Sequence, residues 1–271
     1  MIFLDVWINF SLCTMLRVWP IITYSWTATA NLASSHINLF SFILILLYGI
    51  IQKQIRQLTY TMIILLLFSS PLHFTAIILS LLVAITFHEF AHSWAANSFG
   101  DSTSKLMGRM SLNPLAHLDI YGSIFLLLVG FGWGKPVIVN PNNFANPKLD
   151  NLTVSLAGPM SNLILAVVFG LILRLVPMPE IVSLFISALV FFNLLLMVFN
   201  FLPIPPLDGS KILSLFLPEQ IYLFLQQFGM FILVFVIFFT GLISLIETKV
   251  IFNFFIFITA RPDMLSALLN L

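Results

Sequence analysis

The sequence predicts an all-α polytopic membrane protein of about five to six transmembrane helices, and three observations carry that reading. Sixty per cent of the 271 residues are hydrophobic and 8% are charged, against roughly 25% charged in a soluble domain. Mean hydropathy is +1.09. Apolar runs near span length recur between short polar or proline-containing segments, the pattern of helices that satisfy their own backbone in lipid. A net charge of +1 without a basic cluster gives no footing for nucleic acid as a partner. The single cysteine, Cys13, rules out an internal disulfide and a thiolate metal cluster, so any metal ligands must be His or carboxylate.

Taken in order, residues 1–57 form an N-terminal apolar region, 58–246 a membrane core and 247–271 a C-terminal tail. The first 35 residues lack the basic start and small-residue cleavage site of a standard signal peptide. Residues 37–51 (INLFSFILILLYGII) are short for a span. Lys53 and Arg56 follow, then an apolar run from Leu58 to Phe68. Ser70-Pro71 punctuates the chain, and a helix is expected from about Leu72 to Asn97, stopped by Gly100. Ile120 to Phe131 is apolar but too short to cross, which suggests a re-entrant or interfacial hairpin. Spans are then expected at about Leu152–Val176, Ile181–Leu202 and Ile221–Ile246. Lys105, Arg109, Lys135 and Lys148 flank the hairpin, and if it does not cross they share one side, expected to be cytoplasmic.

Within the first long span stands His88-Glu89-Phe90-Ala91-His92. On a helix, His88 and His92 lie about 6 Å apart along the axis and about 40° apart around it, so both rings can reach one ion. This is the HExxH arrangement of zinc hydrolases, in which Glu89 would serve as general base. With five His and four Glu in the chain, about 0.001 chance matches are expected, which makes accident a poor explanation. A buried His pair bound only to neighbouring protein groups is the structural alternative. Ionisable residues at bilayer depth are penalised by roughly 2.5 to 3.5 kcal/mol, and a metal offers compensation.

A catalytic zinc takes three protein ligands and keeps an open position. The candidate third ligand is Asp208, after Asn200-Phe201-Leu202-Pro203-Ile204-Pro205-Pro206-Leu207. The three prolines must break the helix, leaving a proline-broken segment at membrane depth, which is tolerated only when buried or lining a cavity. Asp208 could instead cap the next helix, but a cap alone would not need that break. His117 and Asp119 make an H-x-D pair better read as loop hydrogen bonding than as a second metal site. Asn193 and Asn200 read as structural, serving backbone groups left open by the prolines.

Together these motifs resemble the site-2 protease family of intramembrane zinc metalloproteases, which pairs HExxH with a later Asp-Gly preceded by Asn and prolines. The matching residues are His88, Glu89 and His92, then NFLPIPPLDG ending in Asp208 and Gly209. LMGRMSLNPLAHLD, GWGKPVIVNPNNF and LAGPMSN resemble the intervening segments of compact bacterial members, and no PDZ or CBS segment is recognisable. The resemblance implies one Zn2+ per chain held by His88, His92 and Asp208, with Glu89 activating water. It further implies hydrolysis of peptide bonds within or near transmembrane segments of membrane-protein substrates, in a multi-pass protein of the bacterial plasma membrane. Asn162, in Gly158-Pro159-Met160-Ser161-Asn162, matches a polar position near the family's active site. It stands evenly between a substrate or oxyanion contact and helix packing. The Gly-Trp-Gly-Lys-Pro stretch could pair with an unwound substrate strand. A zinc transporter and a non-catalytic membrane scaffold are the alternatives, the first disfavoured because few acidic residues lie at depth.

Overall fold

The computed structural model describes residues 63–129, 132–239 and 245–269; the apolar run at 37–51 lies outside them. Helix α1 (Ile63–Ser69) gives way to α2 (Pro71–Ser98) at Ser70. Pro71 bars its predecessor from helical geometry, and Ser70 accordingly adopts φ −152° and ψ 72°. At the far end of α2, Gly100 takes φ +102°, and the Asp101 N–H returns to the Ala96 carbonyl at 2.9 Å, closing the helix through a left-handed residue that glycine tolerates best.

The next segment turns back on itself. Helix α3 (Ile120–Val129) begins where Asp119 Oδ1 accepts the Gly122 N–H at 2.8 Å, and its ten residues reach only about 15 Å, half a bilayer core. Leu118 and Gly134 pair as an antiparallel bridge, and the Lys135 N–H donates to the His117 carbonyl at 2.7 Å. Trp133 packs against Phe125 with ring centroids 5.7 Å apart. Entry and exit therefore lie side by side, as a hairpin that does not cross requires. Asp101 ties the same end together: its carboxylate accepts from the Thr103 N–H and hydroxyl, the Asn140 N–H at 2.8 Å and Asn143 Nδ2 at 2.7 Å.

Three long helices follow: α4 (Pro147–Leu175), α5 (Glu180–Asn200) and α6 (Glu219–Phe239). Among the described residues, four helices are long and apolar enough to cross a membrane: α2, α4, α5 and Glu219–Val236 within α6. The expected five to six include the run at 37–51 and the run from 58, described only from residue 63. Helices α2, α4 and α5 pack on one another, with alanines at the seams (Ala76, Ala84, Ala166 and Ala188, each fully buried) so that backbones approach closely, as lipid-embedded helices do. Helix α5 is the central element, with Phe191, Leu194 and Leu196 enclosed, whereas α6 exposes Phe224, Phe231 and Phe235, an outer helix with an apolar surface suited to lipid.

The C-terminal residues, set apart as a tail in the sequence, are part of this packing. A π-turn at Glu247–Ile251 leads into α7 (Phe252–Thr259) and α8 (Pro262–Leu269). Ile251, Phe255, Ile258, Met264, Leu265 and Leu268 join the core built by α2, α4 and α5. Gly170 of α4 permits this, since a Cβ there would lie 2.4 Å from Ile258 Cγ2. A boundary placed at the end of the last expected span does not reveal such docking, because the docking faces are as apolar as the lipid-facing ones.

Candidate metal centre

His88, Glu89 and His92 stand in the second half of α2, with His88 about 15 Å along the axis from Ser98. All three side chains are buried. The two rings meet nearly edge to face, with centroids 4.6 Å apart and an interplanar angle of 83°, and their Nε2 atoms converge to 3.0 Å. Helix α5 ends at Asn200 and the chain runs irregularly through Pro203, Pro205 and Pro206 until Asp208 opens a 3-10 turn, Asp208–Ile212. That turn rests directly on the broken helix end: a Cβ on Gly209 would lie 2.3 Å from the Phe201 carbonyl oxygen. Asp208 Oδ2 thereby reaches 3.1 Å from His88 Nε2 and 3.3 Å from His92 Nε2.

These three atoms form a triangle with edges of 3.0 to 3.3 Å. Tetrahedral ligands about 2.0 to 2.1 Å from a zinc ion are separated by about 3.3 to 3.4 Å. The donor chemistry agrees. His92 Nδ1 faces the Val154 carbonyl at 2.8 Å, an obligate acceptor, so its proton sits on Nδ1 and Nε2 carries the lone pair. Asp208 Oδ2 is buried without a hydrogen-bond partner. Lone pairs and a carboxylate facing one another at 3 Å call for a cation, and the two-imidazole, one-carboxylate set suits zinc. Asp208 is the more open member, its side chain 22% exposed, so approach is from its side.

Helix α4 supplies the opposite wall. A Cβ on Gly158 would sit 2.3 Å from His92 Nε2 and 2.7 Å from His88 Cε1, so the rings occupy the space where any other residue would place its side chain. Asn162, one turn on and fully buried, brings its Oδ1 to 2.7 Å from His88 Nδ1 and its Nδ2 to the Ala84 carbonyl at 3.0 Å. Nδ2 also donates to Asn193 Oδ1 at 2.9 Å. Asn193 therefore does not serve the proline segment as the sequence suggested; it faces Asn162. Asn200 Nδ2 bonds its own helix, at the Leu196 carbonyl.

Glu89 Oε2 accepts the Val137 N–H at 3.2 Å, from the extended return of the hairpin. Nothing in the sequence marked Val137, since a backbone donor leaves no residue-type signal. Asn193 did have one, an amide in the middle of an apolar helix, which is costly unless paired. His117 and Asp119 hold loop hydrogen bonds: His117 Nε2 to the Ser111 carbonyl at 2.7 Å and Asp119 to α3. Among the described residues one group, His88, His92 and Asp208, has a spacing suited to a metal.

A bundle of apolar helices enclosing such a group defines an integral membrane protein with one candidate zinc site. Residues 76–183 match the model of peptidase family M50. Similar proteins described as putative zinc metalloproteases include three from different organisms. They are YwhC of Bacillus subtilis (43% identical over 154 residues, 54% of this chain and 70% of the relative), Rip2 of Mycobacterium tuberculosis (32% over 171 residues, 60% and 66%), and MJ0611 of Methanocaldococcus jannaschii (32% over 170 residues, 60% and 84%). No solved structure matches the chain. The chain belongs to peptidase family M50, the site-2 protease family, and is a zinc metallopeptidase.

Proposed function

We propose that this protein is an intramembrane endopeptidase that cuts membrane-protein substrates within or near their transmembrane segments, with His88, His92 and Asp208 as zinc ligands and Glu89 as general base. The observation that carries the reading is the 3 Å triangle of His88, His92 and Asp208, with both imidazoles and the adjacent Glu89 on a helix long and apolar enough to cross a membrane. Zinc bound there supplies Lewis acidity, lowering the pKa of water to about 7 and polarising a scissile carbonyl. The rest falls to the chain itself. Val137 holds Glu89 Oε2, which leaves Oε1 to take the proton of the attacking water and pass it to the departing amine. The burial of His88, Glu89 and His92 keeps bulk water away and strengthens the electrostatics of proton transfer.

A helix shields its own carbonyls, and each backbone group freed in lipid costs several kcal/mol. Substrates are therefore expected to carry helix-breaking residues or to arrive already trimmed. The polar segments 101–119 and 132–148 gather at one end of the bundle through Asp101 and the Leu118–Gly134 bridge. Their basic residues support a cytoplasmic face there, in a bacterial plasma membrane.

The test is Glu89→Gln assayed on a model single-span substrate in detergent. Full zinc content with cleavage abolished is the expected result, and proteolysis at the wild-type rate would remove Glu89 from its role.

A further inference from the structure

Building on the metal-centre reading, we propose that Asn193, acting through Asn162, is a positioning residue that holds His88 in the tautomer whose Nε2 is free to bind zinc. The argument runs across three helices and starts from atoms whose roles are not adjustable. The Leu189 carbonyl has no proton, so the Asn193 atom 2.7 Å from it is the amide nitrogen. Asn193 Oδ1 therefore points toward Asn162, 2.9 Å away, and can only accept. The Asn162 atom there must be its amide nitrogen, whose second proton goes to the Ala84 carbonyl at 3.0 Å. Both protons of that nitrogen are then used, and Oδ1 is left facing His88 Nδ1 at 2.7 Å. His88 must donate from Nδ1, which places its lone pair on Nε2, toward Asp208 and His92.

His92 is set in a single step by the Val154 carbonyl; His88 has no carbonyl of its own and depends on an amide that could in principle turn over. Turning Asn162 would press its oxygen against the Ala84 carbonyl and Asn193 Oδ1 together, and would offer an N–H to His88 Nδ1. The ring proton would then move to Nε2, closing the ligand atom. Asn193 supplies one of the two acceptors that forbid this. Asn162 and Asn193 are each fully buried and His88 is 1% exposed, so water does not compete for the relay. Partners that orient a metal-bound His typically change metal affinity 10- to 100-fold when removed.

The experiment measures zinc affinity by chelator competition on the full-length protein in detergent, with the ring 15N shifts of the metal-free form as a direct reading of the His88 tautomer. Asn193→Leu, close to Asn in size, should weaken zinc binding about tenfold and Asn162→Leu up to about 100-fold, each converting His88 from Nδ1–H alone to a tautomer mixture. Ser187→Ala removes another buried hydrogen bond of the same helix, to the Ser183 carbonyl, and should leave affinity and tautomer unchanged. The proposal is overturned if Asn193→Leu keeps wild-type affinity and a single tautomer, or if Ser187→Ala weakens zinc to the same degree. If the wild type binds no zinc, or His88→Ala binds it normally, the metal-centre reading itself fails and this inference with it.

Discussion

Replacing Gly158 with alanine is the most discriminating single change at the centre. The added Cβ would lie 2.3 Å from His92 Nε2, 2.6 Å from His92 Cε1 and 2.7 Å from His88 Cε1, where ordinary contact is about 3.5 Å. The rings would have to retreat by roughly 1 Å, several times the ±0.2 Å latitude of metal–ligand distances. Neither ring is free to retreat, because their Nδ1 atoms are tied to Val154 and Asn162 at 2.8 and 2.7 Å. Helix propensity pulls the opposite way, since alanine is favoured over glycine in a helix interior by about 1 kcal/mol, so a loss cannot be ascribed to a weakened α4. A fall in zinc affinity of at least about 100-fold is expected, beyond the usual range for losing an outer hydrogen bond. Chelator competition measures it, with circular dichroism reporting the fold. A Gly158→Ala protein that binds zinc within threefold of wild type would refute the close approach of α4 to the two rings.

Gly209→Ala should also weaken zinc, because its Cβ would meet the Phe201 carbonyl oxygen at 2.3 Å and the Leu202 oxygen at 2.7 Å, backbone that cannot yield without moving Asp208; unaltered affinity would contradict that packing. Asp101→Asn should lower the thermal midpoint at pH 7, at a cost of about 1 to 3 kcal/mol for donors left unmatched. Burial raises the Asp101 pKa, but the bonds from Thr103, Asn140 and Asn143 outweigh it and hold the carboxyl below its ordinary value. A carboxyl depressed on folding stabilises above its unfolded pKa of about 3.9 and loses that contribution as pH falls through the folded value. The midpoint gap between variant and wild type should therefore narrow below about pH 4, and a gap independent of pH would show that the carboxylate charge is not what holds the loops. A substrate span interrupted by Gly-Pro should be cut at least about tenfold faster than an unbroken Leu-rich helix, because unwinding leaves backbone groups unsatisfied in lipid; equal rates in a gel-based assay would remove unwinding as the barrier.

Much of the fold was legible because lipid imposes a coarse rule: only long apolar helices can cross, so composition and run length locate the spans. The hairpin was readable for the same reason, the apolar run from Ile120 to Phe131 being too short to cross. The docking of Ile251, Phe255 and Leu265 on the core was not, since a face that meets another helix and a face that meets lipid are built from the same side chains. At the centre, His88, Glu89 and His92 were visible because a four-residue spacing on a helix is local geometry. Asp208 was visible because three prolines before it had no other structural use. Asn162 was noticed, but packing and substrate contact could not be told apart, and Asn193 was assigned to the wrong neighbourhood.

The division follows from the range of the forces involved. Spacing along one helix determines which side chains share a face, and backbone chemistry determines where a helix must break; both act within a few residues, so the amino-acid order alone specified the paired imidazoles, the adjacent carboxylate and the interrupted span. Whether those parts meet depends on how closely separate helices approach. Only the folded chain decided that Gly158 yields its side-chain space to the two rings, that Asp208 comes within about 3 Å of both, and that an amide on α5 dictates, through one on α4, which nitrogen of His88 keeps its proton. Packing distance and hydrogen-bond direction across three helices are properties of the assembled core, and no residue carries them by itself.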